Sequence, residues 1–354
     1  MLALGLAGCG GDAKPTITKV YVMGDSLADV GTFGFKFTVQ NANDPKGFPI
    51  WPQLVANRFG VNGSAQCNFF AVSSPTSFTS NTACTNYAIG GGRIAGDSAS
   101  PLTIGTQMAA KALTGDYLST DLVLMDGGGN DAADLVEAYL GVTNTAGIQA
   151  YRTFLLQQLD AATVTAFLTP GTANGPTLAA AAYMQKLADT FYGQIKANAL
   201  DKGAVQVAVL NMPDITLTPD FKAVLASVAA SFGQPAADGL NASIRLWIGA
   251  FNTQLKTKIG SDNRVVLVDF YAELTDQVSN PGKFSLTNVT TPVCPAGSDT
   301  PATFIACTQT AIEVGKTPGW WAAHAFSDGF HPTPRGHSLL ADSVTRALTR
   351  AGWL

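Results

Sequence analysis

A three-layer α/β/α sandwich around a central parallel sheet is the fold this sequence predicts, and three observations predict it. Short apolar, β-branched runs recur at 19–23, 122–125, 205–210 and 265–270. Each ends close to Gly, Asn or Asp, residues that punctuate strands. Between the runs lie Ala- and Leu-rich stretches of helical length, and strand–helix alternation implies parallel strands with both sheet faces covered.

In chain order, the first strand, 19–23, runs straight into Gly24-Asp25-Ser26. Helices are expected at 51–59 and 107–113, and a long one at 177–199, where Leu178, Ala182, Leu187, Phe191 and Ile195 recur at roughly helical spacing. Further helices are expected at 219–232, 240–259 and 336–351. Two polar insertions, 62–85 and 280–317, are rich in Thr, Ser, Asn and Pro and are expected as long loops bordering the site. No internal repeat or composition break divides residues 17–354, so one domain is expected there.

Composition excludes several classes. Hydrophobic residues make up 46% and charged residues 13% of the 354, which is globular rather than disordered. A net charge of −4 without a basic cluster argues against nucleic acid as a partner. No run of eighteen apolar residues occurs, so no membrane-spanning helix is expected.

Residues 1–16 read as the remnant of an export signal and its tether. Leu6-Ala7-Gly8-Cys9 resembles a bacterial lipobox, whose cysteine is lipidated, so Cys9 is a candidate membrane anchor. The reading is an exported lipoprotein of the outer membrane, cell surface or periplasm, or otherwise a secreted protein. Four cysteines remain, Cys67, Cys84, Cys294 and Cys307. Of their three connectivities, Cys67–Cys84 with Cys294–Cys307 is the simplest, and disulfides suit an oxidising compartment. No C-x-x-C or His-rich spacing suggests zinc.

Ser26 carries the functional signal. A hydroxyl at the carboxyl end of a first strand stands where α/β sheets place their ligands. Asp328 and His331, three residues apart near the other end of the chain, supply a carboxylate and an imidazole. Nucleophile, base and base-orienting acid are the requirements of acyl transfer. The chain holds three histidines, His324, His331 and His337, so an imidazole base comes from this one region. His331 is favoured by its Asp328 partner and the Pro332-Thr333-Pro334 turn. His337 reads as a packing residue, and His324, following Trp320-Trp321, as a pocket residue at most.

Competing motifs fail on context. Gly96-Asp97-Ser98 repeats the triplet but follows no strand. The Gly-x-Ser-x-Gly elbow is broken at Ala28. Gly127-Gly128-Gly129 lacks the Lys-Ser/Thr of a phosphate loop. Asp25 and Asp29 read as turn caps, and Asp131 as a brace for the Asn130 loop.

Four blocks in order, Gly24-Asp25-Ser26-Leu27, Asn86 to Gly92, Leu122 to Asp131 and Asp328 to Pro332, resemble the GDSL (SGNH) hydrolase family. The letters of that name match Ser26, a glycine of the second block, Asn130 and His331. Asn211-Met212-Pro213-Asp214, Phe251-Asn252, Asn280-Pro281 and Asn288-Val289-Thr290 look like its branch of secreted bacterial lipases, esterases and hemolysin-like phospholipases. The resemblance implies a flavodoxin-like fold and a serine esterase or lipase acting through an acyl-enzyme, with no metal or organic cofactor. It also implies an oxyanion hole from the Ser26 N–H, the N–H of Gly90, Gly91 or Gly92, and the Asn130 amide; the five-residue step from Asn86 favours Gly91. Two alternatives are a phospholipase or lysophospholipase acting on membrane lipids, and a non-catalytic lipid-anchored binding protein on the same scaffold. Members of the branch often carry an aromatic residue before the catalytic acid, where this chain has Ser327. Trp320, Trp321 and Phe326 are the expected substitutes for that aromatic surface.

Overall fold

The computed structural model describes residues 14–44, 46–74, 77–96, 100–294 and 301–354. Cys9 with its lipobox-like context, and the Asp97-Ser98 pair, lie outside the described residues.

The strands are β1 (Lys19–Met23), β2 (Phe70–Ser74), β3 (Ser77–Ser80), β4 (Asp121–Met125), β5 (Val207–Leu210) and β6 (Val265–Val268). The helices are α1 (Trp51–Arg58), α2 (Ile104–Ala112), α3 (Gly129–Leu140), α4 (Thr145–Leu155), α5 (Ala161–Leu168) and α6 (Gly175–Asn198). They continue with α7 (Pro219–Phe232), α8 (Gln234–Ile259), α9 (Phe270–Ser279), α10 (Pro301–Ala306), α11 (Gln309–Ile312) and α12 (Pro334–Arg350).

The central sheet has the order β1-β4-β5-β6, every pair parallel, with Val22 opposite Leu124, Leu124 opposite Ala208 and Ala208 opposite Val266. Strand alternation sorts the side chains into two cores. Tyr21, Met23, Val123, Met125, Val207 and Val209 pack with Leu187 and Phe191 of α6 and Trp247 and Phe251 of α8. Val20, Val22, Leu122, Leu124, Ala208 and Leu210 face the other way, onto Trp51 and Val55 of α1 and Leu340 and Val344 of α12. Both faces are buried, which is why these strands read as unbroken apolar runs. The three-layer expectation holds.

Departures from expectation have local causes. The last strand stops at Val268 because Asp269 caps α9, its carboxylate accepting from the Ala272 N–H at 3.1 Å. Sequence reading missed α3, α4, α5 and α9. Helix α3 begins inside the triple glycine, and α4 and α5 are opened by Asn144 and Asp160, whose side chains accept from the N–H groups of Gly147 and Thr163. The polar insertions are structured in part: the first holds the β2–β3 hairpin beside Cys67–Cys84, and the second holds α10 and α11 beside Cys294–Cys307.

Candidate active site

β1 delivers Ser26 at the carboxyl edge of the sheet. The Gln107 side chain of α2 clasps the strand end, accepting from the Gly24 N–H at 2.9 Å and donating to the Gly24 carbonyl at 3.0 Å. A side chain at Gly24 has no room, since its Cβ would lie 1.7 Å from an Asp126 oxygen. The chain then turns sharply: the Asp25 carbonyl accepts from the N–H groups of Ala28 and Asp29, and its carboxylate accepts from the Leu27 N–H at 3.0 Å. This turn points the Ser26 hydroxyl out of the sheet edge.

His331 Nε2 stands 2.7 Å from Ser26 Oγ, and His331 Nδ1 stands 2.7 Å from Asp328 Oδ2. With Nδ1 donating to the carboxylate, Nε2 keeps the lone pair that accepts from the serine hydroxyl. The other Asp328 oxygen accepts from the N–H groups of Phe330, at 2.9 Å, and His331, at 2.5 Å. Burial by itself would raise the Asp328 carboxyl, but the His331 charge and these hydrogen bonds hold it below the usual carboxylate range. The loop is closed on itself by Ser327 N–H to the His331 carbonyl and Thr333 N–H to the Ala325 carbonyl.

A set of backbone N–H groups and one side-chain amide lies beside the hydroxyl. Residues 85–89 run along β1, with the Val22 N–H donating to the Thr85 carbonyl and Tyr87 to Val22, and so bring the glycine block to the same edge. The Gly90 N–H is engaged by Asp29 at 2.8 Å and the Gly92 N–H by the Ile89 carbonyl at 2.9 Å. Gly91 remains, its N–H without an acceptor among the described residues, as is the N–H of Ser26. Gly91 has φ +79°, a conformation that strains other residues. Asn130 sits in the first turn of α3, where one hydrogen of its amide goes to the Gly92 carbonyl at 2.9 Å. Asp131 accepts from the Ile94 and Ala95 N–H groups, tying α3 to the glycine block, and burial pushes its carboxyl up to about 6.

The five expected site residues, Ser26, Gly91, Asn130, Asp328 and His331, thus meet at one edge. The expected turn-capping roles of Asp25 and Asp29 hold: Asp29 accepts from the N–H groups of Gly31, Thr32 and Gly90. His337 is buried on α12 with neither ring nitrogen bonded, and burial drives its imidazole down to about 3. His324 packs edge-on to Trp320. The aromatic expectation needs correction for Trp320 and Trp321, whereas Phe326 lines a cleft together with Leu27 and Phe330. Trp320 and Trp321 belong to a separate cluster with Cys294 and Cys307, while the rings at the imidazole are Phe37, Phe304 and Phe330, at 5.1, 5.6 and 5.7 Å. Phe37, in a loop, and Phe304, in the six-residue α10, stand in segments too short for periodicity to signal them.

Asp126 was also missed. It is buried just past the end of β4 and interacts with the Asp25 carboxyl, and neither of its oxygens meets a hydrogen-bond donor among the described residues. Burial and the neighbouring carboxylate push it well above the usual range.

Three solved structures are similar to the chain. A member of the lipolytic G-D-S-L family from Veillonella parvula is 15% identical, covering 94% of this chain and 98% of its own, with a TM-score of 0.40. The lipase Lip_vut3 from a goat rumen metagenome is 14% identical, covering 93% and 97%, with a TM-score of 0.41. The extracellular lipase of Streptomyces rimosus is 17% identical, covering 93% and 100%, with a TM-score of 0.41. No curated protein matches the chain. The family model for GDSL-like lipase/acylhydrolase proteins matches residues 20–344, nearly the whole described length, and the chain belongs to that family.

Proposed function

We propose that this hydrolase cleaves carboxylic esters through an acyl-enzyme on Ser26. The supporting observation is the continuous Asp328–His331–Ser26 relay, 2.7 Å at each step. His331 Nε2 takes the hydroxyl proton as Oγ attacks the ester carbonyl, and Asp328 stabilises the imidazolium that forms. The carbonyl oxygen, now negative, is met by the N–H groups of Ser26 and Gly91 and by the second hydrogen of the Asn130 amide. Collapse expels the alcohol, which receives its proton from His331, and water then releases the acid by the same route.

Residues 17–354 form one domain on this reading, and Cys67–Cys84 and Cys294–Cys307 support an exported location. Among the described residues no helix is long and apolar enough to cross a membrane. Ser26→Ala should lose turnover of p-nitrophenyl acetate to background while keeping the wild-type melting temperature. Retained turnover, or wild-type protein that a fluorophosphonate fails to label, rejects the proposal. Release of fatty acid from phosphatidylcholine, compared with a soluble ester, separates a phospholipase from an esterase.

A further inference from the structure

The Gly91 N–H belongs to a peptide that is held only through its neighbours. The Gly92 N–H, returning to the Ile89 carbonyl, closes a four-residue turn with Gly91 third at φ +79°, the type II form. Gly91 N–H lies in the central peptide of that turn. Among the described residues neither this N–H nor the Gly90 carbonyl at the other end of the peptide meets a hydrogen-bond partner. Its direction therefore depends on the two flanking peptides. Asp29 fixes the first through the Gly90 N–H at 2.8 Å. Arg93 fixes the second, its Nη1 donating to the Gly91 carbonyl at 2.7 Å.

The same guanidinium reaches α3. Its Nε and Nη2 donate to the two carboxylate oxygens of Asp134 at 2.5 and 2.9 Å. Asp134 stands one helical turn after Asn130, so both project from one face of α3 toward the glycine block. A planar fork of fixed donors grips a carboxylate and a carbonyl together, which a single ammonium does not. The fold has other ties here. The Arg93 backbone is held by the Leu102 carbonyl and the Ile104 N–H, and buried Asp131 joins α3 to Ile94 and Ala95. The Arg93–Asp134 side chains are 42% and 34% exposed, where an ion pair contributes little to stability.

We propose that Arg93, anchored by Asp134, is a positioning residue that sets the spacing between the Gly91 N–H and the Asn130 amide. These two oxyanion donors come from different segments, and the guanidinium spans them. The proposal rests on the acyl-enzyme reading above. Negative charge developing on the carbonyl oxygen then meets donors already in place.

The test measures kcat and KM for p-nitrophenyl acetate in Arg93→Ala, Arg93→Lys and Asp134→Ala. Both alanine variants should lose about 10- to 100-fold in kcat, the range of a small misplacement, with KM within about twofold of wild type. The double alanine variant should be no slower than the worse single one, because either change opens the same strap. Arg93→Lys keeps the charge without the fork and should recover less than about threefold over alanine. In an Asn130→Ala background Arg93→Ala should cost at most about threefold, since the spacing matters only while both donors are present. All variants should melt within about 3 °C of wild type. A kcat for Arg93→Ala within about threefold of wild type, a loss confined to KM, full recovery with lysine, or losses additive with Asn130→Ala overturns the proposal. So does a melting temperature that falls in step with activity. If Arg93→Ala does not fold, Asp134→Ala opens the strap from its other end and carries the same expectations; failure of both to fold makes the pair structural and overturns the proposal. Wild-type protein that neither hydrolyses the acetyl ester nor reacts with a fluorophosphonate fails earlier, at the hydrolase reading itself.

Discussion

Ser327 Oγ lies 3.2 Å from Thr38 Oγ1, and both hydroxyls donate to the Pro332 carbonyl at 2.9 Å. The Val39 N–H also donates to Ser327 at 3.2 Å. A small polar residue before the acid therefore fastens the loop bearing Phe37 to the loop bearing His331. Phe37 in turn touches the glycine block, since a Cβ on Gly90 would fall 2.2 Å from its ring.

Ser327→Ala should uncouple these loops. The buried Val39 N–H loses its acceptor, at a cost of about 1–3 kcal/mol in stability. We expect kcat/KM for p-nitrophenyl acetate to fall about three- to tenfold, with fluorophosphonate labelling still going to completion. Urea titration and steady-state kinetics check both parts.

Asn130→Ala removes a donor from the proposed oxyanion site while leaving the Asp328–His331–Ser26 relay intact. The loss should fall on kcat, by a factor of about 10²–10³, corresponding to about 2.7–4 kcal/mol of transition-state stabilisation. Gly91→Ala should lower melting temperature as well as rate, because alanine is strained at φ +79°. A kcat for Asn130→Ala within fivefold of wild type would argue that the amide serves only the Gly92 carbonyl.

Much of this was legible from residue order alone, for reasons that differ by residue. Ser26 stood out because a buried parallel strand is an unbroken apolar run, and the residues just past its carboxyl end face the ligand edge. Asp328 and His331 were legible because their pairing is local, three residues apart. The five-residue step from Asn86 already favours Gly91 over Gly90 and Gly92, and three dimensions add the reason, since Asp29 and the Ile89 carbonyl engage the other two N–H groups. Asp126 resembled any acid at a strand end, because its partner Asp25 is about a hundred residues away in the chain. Helices α4 and α5 are short and lie among polar residues, so their periodicity was weak against the long apolar runs.

Asp126 gives the pH dependence its sign. Its folded carboxyl is raised above the unfolded value by burial and by Asp25, so the folded state holds a proton that the unfolded state has released. The stability contributed by that proton is complete below the unfolded pKa and declines as pH rises through the raised folded one. Asp126→Asn keeps a donor to Asp25 and carries no charge. Its stability relative to wild type should therefore increase from pH 4 to pH 8, with kcat/KM near wild type at the acid end of that range. Denaturation midpoints across the range check the sign; a constant difference would mean that Asp126 does not hold the proton.

The two disulfides should differ in what their loss does to turnover. Both close short loops, with sequence separations of 17 and 13, and each should contribute about 3 kcal/mol by loop closure. Cys294–Cys307 is bonded directly to the loops around the imidazole. The Cys294 N–H donates to the Ser327 carbonyl at 2.7 Å, the Gln40 N–H donates to the Cys307 carbonyl at 2.8 Å, and Phe304 packs edge-on against His331. Opening it frees the wall around the imidazole, whereas opening Cys67–Cys84 frees the loop that carries the β2–β3 hairpin. Paired Cys→Ser variants of either bridge should lose comparable melting temperature. The 294/307 variant should also lose about tenfold in kcat/KM at a temperature where both remain folded, and the 67/84 variant should stay within about twofold of wild type. Equal kinetic losses would show that the second bridge has no greater hold on the candidate site than the first.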